Sequence, residues 1–358
     1  MDITESKREG LEASTSKPCR WNQPRKRRLS PRKAHQLLSL KHDNNNEEEQ
    51  VASAVNVSSF AAKLQACAPR AGWLVNFTAP DSELEEETLP NIPEPEFMFA
   101  DYTDISSNCC KDTFASFKEN VKLSAEEITK IEIATRNQAS SQVWHQLRAG
   151  RLTSSHFGDV FRRKACTKPD NLLKVVMGYQ EVPDNVHVAW GTKKEVAARR
   201  AYLLHMQPNH AGISVRTSGL IVSEDLPYLA SSPDGLVHCP HCMPSQGLLE
   251  IKCPSVHRDK TPMEAAKDKS FFCEIVDDKV TLKRSHKYYF QVQGQMGVSG
   301  KTWCDFFVWT MKGCTVERIH FDENLWKEMV QKLTIFYLEA VEPEIFTQRV
   351  KRGLHLYG

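Results

Sequence analysis

The spacing of apolar and polar positions changes along the chain and divides it. Residues 1–50 carry 11 hydrophobic against 19 charged side chains and hold no sustained period. A segment that poor in apolar groups cannot offset the entropy of ordering it, so it reads as disordered. Residues 51–76 hold scattered apolar positions (Val55, Phe60, Leu64, Trp73, Leu74) that allow one short helix near Ala61–Ala66. An acidic, proline-containing stretch follows from Asp81 to Pro95. A helical period begins at Leu123, where Ser124-Ala125-Glu126-Glu127 has the spacing of a capping box. Ile128, Ile131 and Thr135 follow, then Val143, Trp144 and Leu147, with a pause at Ser140-Ser141. A second helix is expected from Thr153 or Ser154 through Phe157, Val160 and Phe161, and a third over Lys194–Met206. The period then shortens to two. Gly219–Ser223, Leu229–Ser231, Gly235–Val237, Leu248–Cys253 and Trp303–Trp309 read as strands, with Glu317–Phe321 a further candidate. A helix over Ser285–Met296 interrupts them, and helix returns over Glu323–Val341. Helices before and after strands indicate an α/β or α+β domain.

Composition narrows the class. The chain has 358 residues, 40% of them hydrophobic, and a net charge of +2 from 47 basic and 45 acidic side chains. That balance excludes a histone-like or wholly acidic protein, yet a local basic groove can sit within a neutral total. Arg25-Lys26-Arg27-Arg28 forms one basic block, readable as a nuclear address, a phosphate-binding arm or a plain solvated charge run. No run of 18 apolar residues occurs, so no membrane span is expected. The polar start, MDITESKREG, lacks a secretory core, so a reducing compartment, nucleus or cytoplasm, is expected. There the 11 cysteines are thiols or metal ligands rather than disulfides. Cys109-Cys110 is expected to be two ordinary thiols in a loop.

Candidate chemistry concentrates at Ser232-Pro233-Asp234-Gly235 and Leu249-Glu250-Ile251-Lys252. Alternation along a strand puts Glu250 and Lys252 on one face while Leu249 and Ile251 enter the core. A hairpin between the two segments would bring Asp234 beside Glu250, at the edge of a sheet. Two carboxylates with main-chain carbonyls make a hard oxygen site suited to Mg²⁺ or Mn²⁺. Such a metal acidifies water, and an ammonium beside it can position the attacking water, which together describe phosphodiester hydrolysis. The plain alternative is a Glu250–Lys252 surface ion pair with Asp234 opening a turn.

The surroundings of these residues resemble the PD-(D/E)xK nucleases, and within them the lambda exonuclease or YqaJ-type viral recombinase branch. Trp144, Arg148, Gly150, Leu152, Thr153 and Ser155 follow the pattern W-x-x-x-R-x-G-x-[IL]-T-x-S. Trp190-Gly191 with Glu195 resembles W-G-x-x-x-E, and Tyr288, Gln291, Val292 and Gln293 resemble Y-x-x-Q-V-Q. With S-P-D-G at Ser232 to Gly235, L-E-[IL]-K-C-P at Leu249 to Pro254 and a strand at Trp303, the resemblance spans residues 124–345. It implies a restriction-endonuclease-like core, a mixed central sheet flanked by helices. It divides the chain into an N-terminal extension (1–110), a nuclease domain (111–348) and a tail (349–358). Asp234 and Glu250, with the Ile251 carbonyl and Glu195, would ligate Mg²⁺ or Mn²⁺. Lys252 would handle the attacking water and Gln291 would buttress Lys252 or that water. Arg148, Ser155 and Ser232 would hold the DNA 5′ end or its phosphate, with Tyr288 beside them. The implied activity is 5′→3′ exonuclease action on double-stranded DNA ends in recombination or repair. A single-strand annealing or recombinase partner and a trimeric assembly also follow from relatives.

Two further motifs carry less. His238-Cys239-Pro240-His241-Cys242 offers two thiolates at Cys239 and Cys242, half of a structural zinc site. Cys253, His257 or Cys273 would have to complete it through the fold; otherwise it is an ordinary cysteine-containing turn. Gly294 to Thr302 resembles a P-loop but has Gln295 where the first glycine belongs, which excludes that reading. The rival reading of another class is a catalytically inactive DNA-binding module or scaffold that retains the nuclease fold.

Overall fold

The computed structural model describes residues 89–164, 166–180 and 186–357. Helices α1 (Asn108–Asn120), α2 (Ala125–Ala134) and α3 (Gln142–Arg148) lead into strand β1 (Leu152–Thr153), then α4 (Ser154–Phe161), α5 (Asp170–Val176) and α6 (Val186–Met206). Strands β2 (Ser214–Arg216), β3 (Ile221–Val222), β4 (Leu229–Ser231), β5 (Gly235–His238) and β6 (Gln246–Lys252) follow. Next come α7 (Pro262–Ala265), β7 (Cys273–Val276), β8 (Lys279–Leu282), α8 (Lys287–Ser299), β9 (Trp303–Thr310) and β10 (Gly313–His320). Helices α9 (Glu323–Phe336) and α10 (Glu342–Thr347), joined by a π-helical turn at Tyr337–Val341, close the chain. The main sheet has the order β10-β9-β6-β5-β2, with β6 and β9 parallel and the other pairs antiparallel. A three-stranded sheet, β1-β4-β3, and the hairpin β7-β8 complete it. The fold is mixed α/β, with mixed sheets and flanking helices.

Strand β6 lies in the middle of the main sheet, not at the edge where the motif alone would leave it. Leu249 and Ile251 pack with Ala198 and Tyr202 of α6, while Leu248 packs with Val292 and Met296 of α8. Both faces of β6 are therefore covered, and Glu250 on it is buried. Helix α8 approaches closely because two of its residues lack a side chain. A Cβ on Gly294 would lie 2.2 Å from the Phe157 ring, and one on Gly297 2.4 Å from Trp326.

Element boundaries move for identifiable reasons. The capping box at Ser124 and Glu127 forms, and α2 starts behind it. His286 has extended backbone and caps α8 by accepting from Tyr288 N–H, so that helix begins at Lys287 rather than Ser285. Helix α6 starts eight residues before Lys194. The final helix does not run unbroken to Val341. Pro343 has no N–H to give the Glu339 carbonyl four residues earlier. The Tyr357 hydroxyl donates to that carbonyl instead, and the π-turn lies in the same stretch. Cys109 and Cys110 lie in α1 rather than a loop, Cys110 buried and Cys109 exposed.

The ordered body also reaches beyond residues 111–348. Ile92, Phe99, Ile105 and Cys110 join the largest apolar cluster, and so do Val350 and Leu356. Arg349 binds the Thr103 carbonyl at 2.9 Å and the Leu356 carbonyl at 2.9 Å, tying both ends to one core. The basic block at Arg25 to Arg28 and the short helix near Ala61–Ala66 lie outside the described residues. Among the described residues no helix is long and apolar enough to cross a membrane, and every cysteine is a free thiol.

Candidate active site

Register places the carboxylates. β5 and β6 pair antiparallel with Gly235 opposite Leu249, so Asp234, just ahead of β5, falls beside Glu250 and Ile251. Asp234 Oδ2 accepts from the Ile251 backbone N–H at 2.6 Å. On the face toward α8, Lys252 Nζ lies 2.5 Å from Glu250 Oε1, with side-chain exposures of 19% and 2%. The same carboxylate accepts from Gln291 Nε2 at 2.7 Å on Oε1 and from Gln295 Nε2 at 2.7 Å on Oε2. Lys252 Nζ also stands 4.3 Å from the centre of the Tyr288 ring. From α6, Arg199 binds Glu195 Oε1 at 2.6 Å and the Asp234 carbonyl at 2.8 Å, which draws Glu195 to the same cluster.

The electrostatics follow from that crowding. Burial, then the Glu250 and Glu195 charges, push the Asp234 carboxyl well above its usual range, against the pull of Lys252. Burial also raises Glu195, and Glu250 adds to it while Arg199 and Lys252 oppose it. Burial alone would lower Lys252, but Glu250, Tyr288 and Asp234 outweigh it and hold the ammonium above its ordinary value. Three carboxylates thus share two cations, and Asp234 has only a backbone N–H of its own. An all-oxygen donor set with surplus negative charge fits a hard divalent cation.

The expected phosphate-holding residues gather at one end of the small sheet. β1 runs parallel to β4 with Leu152 opposite Leu229 and Thr153 opposite Ala230. The turn into α4 and the segment Ser231 to Asp234 therefore leave that sheet from the same end. Trp144 bridges the group: its Nε1 donates to Ser232 Oγ at 3.0 Å, and its ring carries the Arg148 guanidinium at 4.0 Å. Ser155 Oγ lies 3.2 Å from Thr153 Oγ1. Thr153 occupies the N-cap position of α4, without a side-chain capping bond.

Several placements differ from expectation. Gln291 donates to Glu250, not to Lys252, so among the described hydrogen bonds it orients the carboxylate. Gln295 and Arg199 are further members of the site. Their signal was spacing: each lies four residues, one helical turn, after a motif residue (Gln291 and Glu195). The Glu250–Lys252 pair is not a surface ion pair: Glu250 is buried and Lys252 partly so. Cys239 and Cys242 meet His210, not Cys253, His257 or Cys273. His257 is bound to Asp268 instead, and Cys273 belongs to the apolar cluster on the α8 side.

Residues 143–302 match the model of the YqaJ-like viral recombinase domain. That segment is similar to the YqaJ-like domain. It runs from α3 to the loop before β9 and includes the carboxylate cluster. No curated protein matches the chain. Among solved structures, an alkaline exonuclease from Laribacter hongkongensis is 27% identical, over 60% of this chain and 97% of that one, with a TM-score of 0.43. The shutoff and exonuclease protein of Kaposi's sarcoma-associated herpesvirus is 12% identical, over 64% and 77%, at 0.43. A phage-related exonuclease from Haemophilus somnus is 11% identical, over 57% and 96%, at 0.37.

Proposed function

We propose that the chain is a divalent-metal-dependent deoxyribonuclease, acting as a 5′→3′ exonuclease on double-stranded DNA ends in recombination or repair. The observation that carries this reading is the convergence of Glu195, Asp234 and Glu250 on Lys252 inside the segment similar to the YqaJ-like domain. Asp234, Glu250, Glu195 and the Ile251 carbonyl would hold Mg²⁺ or Mn²⁺. When bound, the cation supplies an acidified water and offsets charge on a phosphoryl oxygen. Lys252, whose ammonium Glu250, Tyr288 and Asp234 favour, would orient the attacking water or stabilise the phosphorane-like charge. Gln291 and Gln295 fix the plane of the Glu250 carboxylate. Arg148, held flat on Trp144, would grip the 5′ phosphate with Ser155 and Ser232. Lys194 and Arg258 lie 4.9 and 5.3 Å from the Trp190 ring, five residues before Glu195 on α6. They would follow the DNA backbone toward the cluster.

The direct test incubates the protein with end-labelled linear and nicked-circular duplexes, with Mg²⁺ or with chelator. Mg²⁺-dependent release of mononucleotides from the 5′ end of the linear duplex is the expected result. Binding without cleavage under both conditions would favour the inactive module and overturn the proposal.

A further inference from the structure

A second group of ligands lies outside the carboxylate cluster. His210 follows the end of α6, and Cys239 and Cys242 sit in the loop that joins β5 to β6. Their ligand atoms all lie within 4.8 Å of one another. His210 Nδ1 is 3.3 Å from Cys239 Sγ and 3.6 Å from Cys242 Sγ. A tetrahedral zinc with Zn–S near 2.3 Å and Zn–N near 2.0–2.1 Å places its sulfur and nitrogen ligands about 3.6 Å apart. The two separations lie at that value and 0.3 Å below it.

The surroundings add a charged donor to the group. The Cys242 N–H donates to the Cys239 carbonyl at 3.2 Å, which closes the turn that carries both sulfurs. Arg318 Nη1 donates to Cys242 Sγ at 2.9 Å. Neutral thiols are weak acceptors, whereas metal-bound thiolates draw such donors. Both cysteines are buried, and the turn is anchored by Cys239 N–H on the Ser245 carbonyl at 2.8 Å. Two thiolates and one imidazole form a borderline-soft set that selects Zn²⁺ over the Mg²⁺ suited to carboxylates.

We propose that His210, Cys239 and Cys242 form a structural zinc site that clasps the end of α6 to the β5–β6 loop, its fourth corner completed by water. The clasp joins the three elements that carry Glu195, Asp234 and Glu250. It is also separate from them: about 16 Å of helix lies between Glu195 and Met206. It stands whether or not the chain cleaves DNA.

The test is metal content of the full chain. Protein expressed with zinc should retain one zinc per chain through gel filtration. Asp234→Asn/Glu250→Gln should retain it, and Cys239→Ser/Cys242→Ser should lose it. Should the cysteine variant fail to fold, the parent chain loaded with Co²⁺ decides. A thiolate-to-cobalt charge-transfer band in the near ultraviolet supports the site. No retained zinc, zinc lost from the carboxylate variant alone, or a cobalt spectrum without that band would overturn it.

Discussion

Replacing Lys252 by Met tests the buried pair most directly. The ammonium is 2.5 Å from Glu250 Oε1, and the carboxylate is 2% exposed. Removing one partner of a buried ion pair costs about 3–5 kcal/mol, because the other charge stays buried without it. Here Gln291 and Gln295 still donate to Glu250, and hydrogen bonds to a charged group contribute about 1.5–3 kcal/mol each. The expected loss is therefore at the lower end, about 3 kcal/mol. At about 2–4 °C per kcal/mol for a domain of this size, Tm should fall by roughly 6–12 °C. Adding Glu250→Gln removes the stranded charge, so the double variant should recover about 2 kcal/mol relative to the sum of the single ones. Nuclease turnover should drop by about 10²–10³-fold or more in Lys252→Met and should not return in the double variant. DNA binding, measured with Ca²⁺, should persist. Thermal melts and gel-based cleavage assays read the two effects separately. An additive cycle would refute the buried-pair energetics, and parental cleavage by Lys252→Met would refute its catalytic role.

Four more outcomes are expected. Glu342 has no hydrogen-bond partner for either oxygen, and burial raises its carboxyl to about 8. Its folded value exceeds its unfolded one, so the stability present at acidic pH is lost as pH rises toward 8. Glu342→Gln should melt like the parent at pH 4 and above it by several degrees at pH 9; parallel curves would exclude this. Gly294→Ala should lose about 1–3 kcal/mol in denaturant melts through its clash with Phe157. Deleting residues 1–110 removes Ile92, Phe99, Ile105 and Cys110 from the core and should lower Tm sharply. Ca²⁺ in place of Mg²⁺ should support DNA binding without turnover, since it holds a looser geometry; cleavage at the Mg²⁺ rate would contradict that.

What the sequence disclosed depended on range. Alternation in Leu248–Lys252 located β6 and its two faces, because a strand's period is local. Gly300 marked nothing in advance, yet its left-handed φ of 65° ends α8 three residues beyond the expected Met296. The hairpin β7-β8 escaped notice because its turn, Asp277-Asp278, takes positive φ at both positions without a glycine or asparagine to announce it. Helix α1 was hidden by a polar sequence whose Phe114 and Phe117 find partners such as Phe346, far along the chain. At the site, the motif residues were visible one by one, but Gln295, Arg199 and His210 enter through helix packing. No spacing rule connects His210 to a cysteine 29 residues later.

The missing side chains at Gly294 and Gly297 make α8 a gauge block. The Phe157 and Trp326 rings rest on bare backbone along one face of the helix, and an adjoining face carries Gln291 and Gln295 to the Glu250 carboxylate. A single methyl at either glycine would have to shift the helix, and the two amides that hold Glu250 with it, so the carboxylate cluster is exposed to changes in oily contacts remote from it.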